Sequence, residues 1–455
     1  MLTFFNGGPR QYCDGLSRRG FLKAGALAVG GLSLADLLRL RAASTAAGAA
    51  PSAALPRRAG KSVIMICLGG GPSQLDTYDM KPNAPAEYRG EFRPIRSNVG
   101  GMDLCELMPE QAKIAHRFAV VRSATWTEPD HQRIEVFTGF PKKQRRPSFG
   151  SVVSRLAPGD GSMPKFVSLQ GDNGEIAEAE DPLWVGARHR AFVPKNQGLR
   201  SLEVSKSVDL SRLKDRKALL DSLDSIRRDV DAAGQMRAMD AYTAQALDLI
   251  SSGKARRAFD ISDEPDHVLE RYRAGGTKFR YYRNEAFWDW EAFVRARRLV
   301  EAGVPFVSMQ VGLWDHHCDA TSGSIFEGYR TLLPLYDRCI AALINDLHER
   351  GLAGEVCVVA WGEFGRTPKV NKAGGRDHWP GAGCVLFAGG GLKTGQYIGA
   401  TDARAEAPTT RAYTPQNVLA TLYHVLGIDP GQTLPDFAGR PQYLLDERDA
   451  IAELL

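Results

Sequence analysis

The chain has 455 residues, of which 43% are hydrophobic and 24% charged, a composition that is typical of a folded globular protein. Its formal charge of +5 is concentrated at the start, because residues 1–50 hold six Lys/Arg and two Asp while the remainder is close to neutral. A nucleic-acid-binding domain needs a clustered positive charge, so the composition argues against a nucleic-acid partner.

The first predicted element is an export signal. Arg18 and Arg19 precede an apolar run of twelve residues at 24–35 and a small-residue stretch at 36–54. Paired arginines, a short apolar core and a small-residue exit are typical of a twin-arginine signal, and the run is well below the ~20 residues of a membrane-spanning helix. We assign 1–54 to this signal and its linker, which predicts the twin-arginine translocase as an export partner and a periplasmic or cell-surface location. The polar residues after the run leave an amphipathic anchor helix as the alternative.

Residues 55–455 are expected to form one domain in which strands and helices alternate. A strand that is buried on both faces of a sheet has a short, continuous run of apolar residues in its sequence. Such runs occur at 61–68, 118–122, 165–169, 305–311, 355–361 and 384–388. Helical patterns occur at 288–302, 325–350 and 414–426, the last with Pro415 in its first turn. Strands alternating with helices predict an α/β/α sandwich with a mainly parallel central sheet.

One stretch, residues 211–273, interrupts this alternation. It is polar, favours helix and contains no strand-like run. We predict a helical insertion, which could be a lid, an interaction arm or a plain pair of connecting helices.

The loop after the first predicted strand contains three glycines at 69–71, then Pro72 and Asp76. Glycines after a strand can cradle a phosphate, but neither a GxGxxG nor a GK[ST] pattern is in register. Pro72 also removes a backbone donor that such a cradle would use. A nucleotide-binding protein is therefore disfavoured, and Asp76 is a candidate metal ligand or cap of the turn.

The segment after the second predicted strand reads Thr127-Glu128-Pro129-Asp130-His131. Thr127 is expected near the start of a short helix, where free backbone amides and the helix dipole stabilise an anion. A hydroxyl needs a base or a metal to become a nucleophile. The plain alternative is that Thr127 or Asp130 caps the helix.

Three polar clusters lie towards the C-terminal end, and the first two directly follow predicted strands. They are Trp314-Asp315-His316-His317, Gly362-Glu363-Phe364-Gly365-Arg366-Thr367-Pro368 and Arg376-Asp377-His378-Trp379. Carboxylates and imidazoles just past the ends of buried strands are how open α/β sheets build metal and anion sites. Any one of these clusters could consist of ordinary polar residues on the surface, but the three clusters together predict a metal site.

The order of these segments resembles the alkaline phosphatase superfamily, which includes sulfatases and nucleotide phosphodiesterases. Thr127-x-Pro129-x-His131 and the Thr138-Gly139 turn are similar to its nucleophile segment. The whole chain more closely resembles an exported branch catalogued as domain of unknown function 1501. The motifs that carry this resemblance are Gly-Gly-Pro-Ser-Gln-Leu-Asp at 70–76, Asp-Met-Lys-Pro at 79–82, Trp-Asp-x-His at 314–317, Gly-Glu-Phe-Gly-Arg-Thr-Pro at 362–368 and Arg-Asp-His-Trp at 376–379.

The resemblance implies an alkaline phosphatase-like fold and a metal-dependent hydrolase of phosphate or sulfate esters. It implies Thr127 as the nucleophile and His131 as a neighbouring ligand or anion contact. Arg366 is implied either as a clamp for the anion or as a structural ion-pair partner.

The implied metal ligands are divided between two positions. One metal would be held by Asp315, His317 and His378, while a second or shared position would use Asp76 and Glu363. Where the superfamily has an Asp-His pair, this chain has Glu363 followed by phenylalanine, so one metal is as consistent with the sequence as two.

Several alternatives stay open on the sequence alone. The divalent metal could be Zn, Mn, Fe, Mg or Ca, and the substrate could be a small anionic ester or a sulfated or phosphorylated polymer. The competing class is a non-catalytic surface or assembly protein that keeps the fold with a degraded metal site. Nothing in the sequence fixes the oligomeric state.

Overall fold

The structure is a computed structural model that describes residues 60–131, 133–158, 162–169, 174–194, 253–273, 276–318 and 323–455. The predicted export signal and linker at 1–54 lie outside the described residues. So does the predicted insertion up to residue 252, whereas its described end is helical at Gly253–Phe259 and Asp266–Arg273.

The described part of the chain contains a seven-stranded central sheet. Its strands are β1 (Ser62–Cys67), β2 (Phe118–Ala124), β3 (Phe166–Ser168), β4 (Phe306–Gln310), β5 (Val356–Trp361), β6 (Gly383–Gly389) and β7 (Gln396–Ile398). The spatial order is β7-β2-β6-β5-β1-β4-β3. All neighbours run parallel except β6, which is antiparallel to both β2 and β5. The first six strands confirm the six predicted runs, whereas β7 is too short to form such a run and was not predicted.

The helices in the described residues are α1 (Ala86–Arg89), α2 (Pro109–Lys113), α3 (Ile134–Thr138), α4 (Phe149–Leu156), α5 (Gly174–Ala179), α6 (Gly253–Phe259), α7 (Asp266–Arg273), α8 (Glu291–Glu301), α9 (Ile325–Glu349) and α10 (Pro415–Leu426). The predicted helices are confirmed as α8, α9 and α10. Thr414 caps α10 through a capping box with Asn417, and Pro415 occupies the first turn. In the described segments, no helix is both long and apolar enough to cross a membrane.

Shorter elements lie outside the main sheet. Antiparallel ribbons pair Pro94–Ile95 with Leu104–Cys105, Lys278–Tyr281 with Asn284–Phe287, Gly365–Arg366 with His378–Trp379, and Thr433–Pro435 with Pro441–Tyr443. Single 3-10 turns occur at Ala115–Arg117, Lys142–Gln144, Leu183–Val185, Ala187–His189 and Ala452–Leu454.

The side chains of β1 show why the sheet lies between two helical layers. Ile64 and Ile66 pack into one apolar core together with α8 and α9, while Val63, Met65 and Cys67 pack into a second core with α4 and α10. Each of these five side chains is fully buried, and burial stabilises the fold by about 1.5–3 kcal/mol per large apolar side chain. The predicted α/β/α sandwich with a mainly parallel sheet is confirmed.

The parallel strands determine where the polar clusters meet. Cys67, at the end of β1, lies beside Gln310 at the end of β4 and Trp361 at the end of β5. The loops that leave these strands therefore emerge at the same edge of the sheet. The antiparallel β6 starts at this edge, so the segment before it, residues 376–382, belongs to the same loop cluster.

Candidate metal centre

Four side chains meet at this edge. His131 comes from the loop after β2, Asp315 and His317 come from the loop after β4, and His378 precedes β6. One ligand atom of each residue lies within 4.8 Å of the corresponding atoms of the other three. The sequence grouped Asp315, His317 and His378 as ligands of one metal, and the structure brings His131 into the same cluster.

The cluster is centred on one carboxylate oxygen. Asp315 Oδ1 lies 2.9 Å from His317 Nε2, 3.3 Å from His131 Nε2 and 3.4 Å from His378 Nε2. Tetrahedral nitrogen and oxygen ligands about 2.1 Å from a metal lie roughly 3.4 Å from one another, so these separations fit a site that surrounds one ion.

The opposite ring nitrogen of each imidazole also has a partner. Each Nδ1 faces an oxygen that accepts a hydrogen bond: His131 faces Glu363 Oε1 at 3.0 Å, His317 faces Asp377 Oδ1 at 2.9 Å, and His378 faces the Pro129 carbonyl at 2.6 Å. Since carboxylates and carbonyls accept, each Nδ1 can donate to its oxygen, and a neutral ring with its proton there presents a bare Nε2. Such outer acceptors are the usual surroundings of histidines that bind metals.

The contact between His317 and His378 brings two ligand nitrogens together beside one carboxylate. Their Nε2 atoms are 2.7 Å apart, and both point at the Asp315 carboxylate. Two bare lone pairs beside a carboxylate repel one another unless a proton or a cation lies among them. Imidazoles with one carboxylate suit Zn, Mn or Fe better than Ca, which prefers oxygen ligands throughout.

The pKa values of the cluster follow from these contacts. Burial lowers the pKa of His131, but its hydrogen bonds to Asp315 and Glu363 outweigh burial and raise the pKa to about 9. Burial raises the pKa of Asp315, but hydrogen bonds from His131, His378 and Arg366 hold it well below its usual range. In the metal-free chain the proton on His131 therefore balances the Asp315 charge, and metal binding would displace that proton.

Arg366 is fully buried and donates all its hydrogen bonds within the protein. Its Nη2 donates to Asp315 Oδ1 at 2.7 Å and to the Gly70 carbonyl. Its Nε donates to the Gly71 carbonyl at 2.9 Å, and its Nη1 donates to the Arg376 carbonyl at 3.0 Å. The guanidinium thus joins Asp315 to the loop after β1, and any effect of Arg366 on a substrate has to act through Asp315.

The glycines after β1 allow two backbones to approach each other. Gly70 has a φ of +107°, and a Cβ at this residue would lie 2.4 Å from the Asp315 backbone nitrogen. The Gly70 N–H donates to Glu363 Oε1 at 2.8 Å. These glycines therefore serve to position Asp315 and Glu363.

Asp76 and Glu363, proposed above as a second or shared set of ligands, have separate partners. The buried Asp76 carboxylate accepts from Arg376 Nε at 2.7 Å and from Ser73 Oγ at 2.6 Å. Glu363 reaches the cluster through Nδ1 of His131, which is the ring nitrogen turned away from Asp315.

Phe364 occupies the position where the resemblance implies an imidazole. Its ring is buried, with its centroid 4.3 Å from that of the His378 ring and 5.2 Å from that of the His131 ring. Phe364 therefore supports the two imidazoles by packing. Within the described ranges, the cluster around Asp315 is the one group of three or more acidic, His or Cys side chains with metal-ligand spacing.

Thr127 has a different local setting from the expected one. Helix α3 begins at Ile134 with Arg133 as its N-cap and no side-chain cap, so the expectation that Thr127 lies near the helix start and the alternative that Thr127 or Asp130 caps it are wrong. Instead, the exposed Thr127 donates its hydroxyl to Glu135 Oε1 and its backbone N–H to Glu135 Oε2 at 3.0 Å.

Three contacts of the site were not predicted from the sequence. Asp377 adjoins the candidate ligand His378, so a search for acidic neighbours of each candidate histidine would have found it. The Pro129 carbonyl and Glu135 could not be recognised in this way. Every residue has a backbone carbonyl, and nothing in the sequence distinguishes Glu135 from other glutamates in helices.

Several solved structures are similar to this chain. A sulfatase from Pseudoalteromonas sp. is 9% identical with a TM-score of 0.35, and the match covers 81% of this chain and 68% of that chain. A protein of the alkaline phosphatase superfamily from Vibrio parahaemolyticus is 10% identical with a TM-score of 0.34, covering 88% and 76%. A phosphonate monoester hydrolase from Silicibacter pomeroyi is 10% identical with a TM-score of 0.35, covering 82% and 74%. At TM-scores below 0.5, these likenesses carry no conclusion about the chemistry of this chain.

Family membership rests on the sequence itself. A search of curated proteins found no match. Residues 60–455, which include the motifs around Asp76, Asp315, Glu363 and His378, match the model of a protein family. The chain therefore belongs to the family described as "Protein of unknown function (DUF1501)", as its motifs predicted.

Proposed function

We propose that this protein is an exported, metal-dependent hydrolase of phosphate or sulfate esters. The observation that carries the proposal is the convergence of three Nε2 atoms on Asp315 Oδ1, with an acceptor behind each ring. Asp315, His131, His317 and His378 would hold one divalent ion, with Zn, Mn or Fe favoured by the donor set. Bound there, such an ion would polarise an ester oxygen or lower the pKa of a bound nucleophile.

The charge around the cluster favours an anionic substrate. Arg366 pairs with Asp315, and the Nε of Arg133 lies 3.5 Å from Glu363, while Asp377 pairs with His317. A dication bound among these ligands would be the largest positive charge in the site and would attract an anionic group. The ligand side chains are 21–35% exposed, so an ester can reach them from solvent. The choice of phosphate or sulfate esters, small or polymeric, rests on the resemblance of the motifs to the alkaline phosphatase superfamily.

A second candidate is a metal-binding surface or assembly protein without catalysis. The observation that favours it is that Arg366, the side chain proposed for anion binding, is buried and donates its hydrogen bonds within the protein. In that case the metal would stabilise the loops at the edge of the sheet and turn over no ester.

One experiment separates the two candidates. The exported chain would be purified without chelators, its bound metals measured by mass spectrometry, and its turnover assayed with aryl phosphates and aryl sulfates. About one equivalent of metal with turnover supports the hydrolase. Firmly bound metal without turnover of either ester supports the non-catalytic protein, and a chain that binds no added Zn, Mn or Fe contradicts both.

The acceptor behind His317 provides a test of the metal site. Asp377→Ala removes the carboxylate that fixes the His317 ring, and loss of such an outer partner typically weakens metal binding about 10–100-fold. Metal affinity would be measured by competition with a chelator. Asp449→Ala removes an exposed carboxylate that pairs with Arg411 on the surface, and it should leave affinity unchanged. Equal affinities in the two variants would argue against a ligand role for His317.

Export is tested separately. The Arg18-Arg19 pair ahead of a short apolar run leads us to expect transport through the twin-arginine pathway. Replacing both arginines with lysine should leave the precursor in the cytoplasm, as measured by fractionation and immunoblotting. Normal export of the double variant would contradict the twin-arginine assignment while leaving the metal site untouched.

A further inference from the structure

A buried carboxylate lies against the candidate nucleophile. Glu135 belongs to α3 and is 7% exposed. Its Oε1 accepts the hydroxyl of Thr127 and its Oε2 accepts the Thr127 backbone N–H at 3.0 Å. A hydroxyl that donates to an oriented carboxylate has the arrangement of a nucleophile and its base. We propose that Glu135 is the general base that activates Thr127, an inference that rests on the proposed ester hydrolysis.

The loop that carries Thr127 is attached to the metal centre. The Pro129 carbonyl accepts from His378 Nδ1 at 2.6 Å, and His131 Nε2 lies 3.3 Å from Asp315 Oδ1. The Thr127–Glu135 pair therefore stands at the two ends of a short segment that the cluster holds in place.

A small surface depression links the base to the same centre. Glu135 lines it together with Glu128, Asp130, Arg133, Ile134, Lys142 and Glu363. Glu363 is the residue that accepts from His131, so one wall of the depression is in direct contact with the cluster.

Among the described residues, His131 and Glu363 contact each other and the cluster, and neither forms a hydrogen bond with Thr127. Both ring nitrogens of His131 face carboxylates, Glu363 on one side and Asp315 on the other. Glu363 Oε1 accepts from Gly70 and from His131. Glu135 is the carboxylate in contact with the Thr127 hydroxyl, which makes it the base that the geometry selects.

The proposed step balances without a redox partner. Glu135 takes the Thr127 hydroxyl proton as Oγ1 bonds to phosphorus or sulfur and the bond to the ester oxygen breaks. The leaving alkoxide departs on the opposite side of the phosphorus or sulfur atom, takes a proton from solvent and becomes the alcohol, while Glu135 keeps the threonine proton. Water then attacks the threonine ester from that opposite side and loses a proton to solvent, and the departing Thr127 oxygen regains its proton from Glu135 as phosphate or sulfate is released. A positioned base of this kind contributes typically 10²–10⁴-fold to the rate.

A purely structural Glu135 would instead hold the loop, and one substitution distinguishes the two roles. Glu135→Gln keeps the length of the side chain and one acceptor oxygen, but its amide cannot take the proton. Glu135→Asp keeps a carboxylate on a shorter arm. Glu110→Gln makes the same chemical change on an exposed residue of α2 and serves as the control.

The experiment measures kcat, KM and metal content with 4-nitrophenyl phosphate and 4-nitrophenyl sulfate, and traps the threonine ester by acid quenching and mass spectrometry. We expect Glu135→Gln to lower kcat by about 10²–10⁴-fold and to slow formation of the threonine ester, with KM and metal content unchanged. Glu135→Asp should recover part of the rate, and Glu110→Gln should match the unsubstituted protein.

The outcomes separate this inference from the proposed function. An active protein whose kcat survives Glu135→Gln overturns the base assignment and leaves ester hydrolysis standing. Loss of kcat together with loss of bound metal also overturns it, because Glu135 would then act by holding the loop. A metal-loaded protein that cleaves neither ester overturns the proposed function itself, and the base assignment with it.

Discussion

His317→Ala and His378→Ala are each expected to lose most of the bound metal and to lower any ester turnover by about 10³-fold or more. Each substitution removes one of the three nitrogens that converge on Asp315 Oδ1. A catalytic metal stabilises the transition state by several kcal/mol, and ~4 kcal/mol corresponds to roughly 10³-fold in rate. Removing either ring also relieves the contact between two bare nitrogens, so the metal-free variants should stay folded.

The matched control for these variants is His116→Ala. His116 lies in a 3-10 turn before β2, and its ring contacts Asn98 and Arg117. Bound metal would be counted per chain by mass spectrometry, and folding would be followed by circular dichroism. Unchanged metal stoichiometry in both ligand variants would remove the four-residue cluster as the metal site, whereas metal loss in His116→Ala would show that the assay reports general instability.

Asp76→Ala is expected to destabilise the fold by about 3–5 kcal/mol while leaving metal content unchanged. Asp76 and Arg376 are both fully buried, and their side chains pair at 2.7 Å between residues 300 positions apart in the chain. Removing one partner leaves the other charge buried without compensation, which is the costly way to break such a pair. Because Asp76 contacts Arg376 and Ser73, the substitution removes no atom from the cluster around Asp315.

Urea unfolding at low temperature would measure the loss of stability, and metal analysis of the folded fraction would test the second half of the prediction. Glu349→Ala breaks an exposed pair with Arg271 and should cost no more than about 1 kcal/mol. A stable Asp76→Ala protein that has lost its metal would instead support Asp76 as a ligand, as the family resemblance implied.

The main strands and the start of α10 could be predicted from the sequence because they depend on neighbouring residues. The uninterrupted apolar run of β1 reflects burial on both faces, and Thr414 with Pro415 fixes the first turn of α10 locally. The same local logic placed Asp315 and His317 just beyond a strand end. The family could also be predicted from the sequence, because its motifs are contiguous stretches of residues.

Only the tertiary structure decided which polar groups meet. The antiparallel direction of β6 places His378 beside Asp315, and the loop after β2 adds His131 to the cluster. Arg366 pairs with Asp315, which lies 51 residues away in the sequence. Asp76 pairs with Arg376, which lies 300 residues away. Hydropathy and spacing record whether a side chain is buried and on which face it lies, but the partner of a buried charge depends on how distant segments cross at the edge of the sheet.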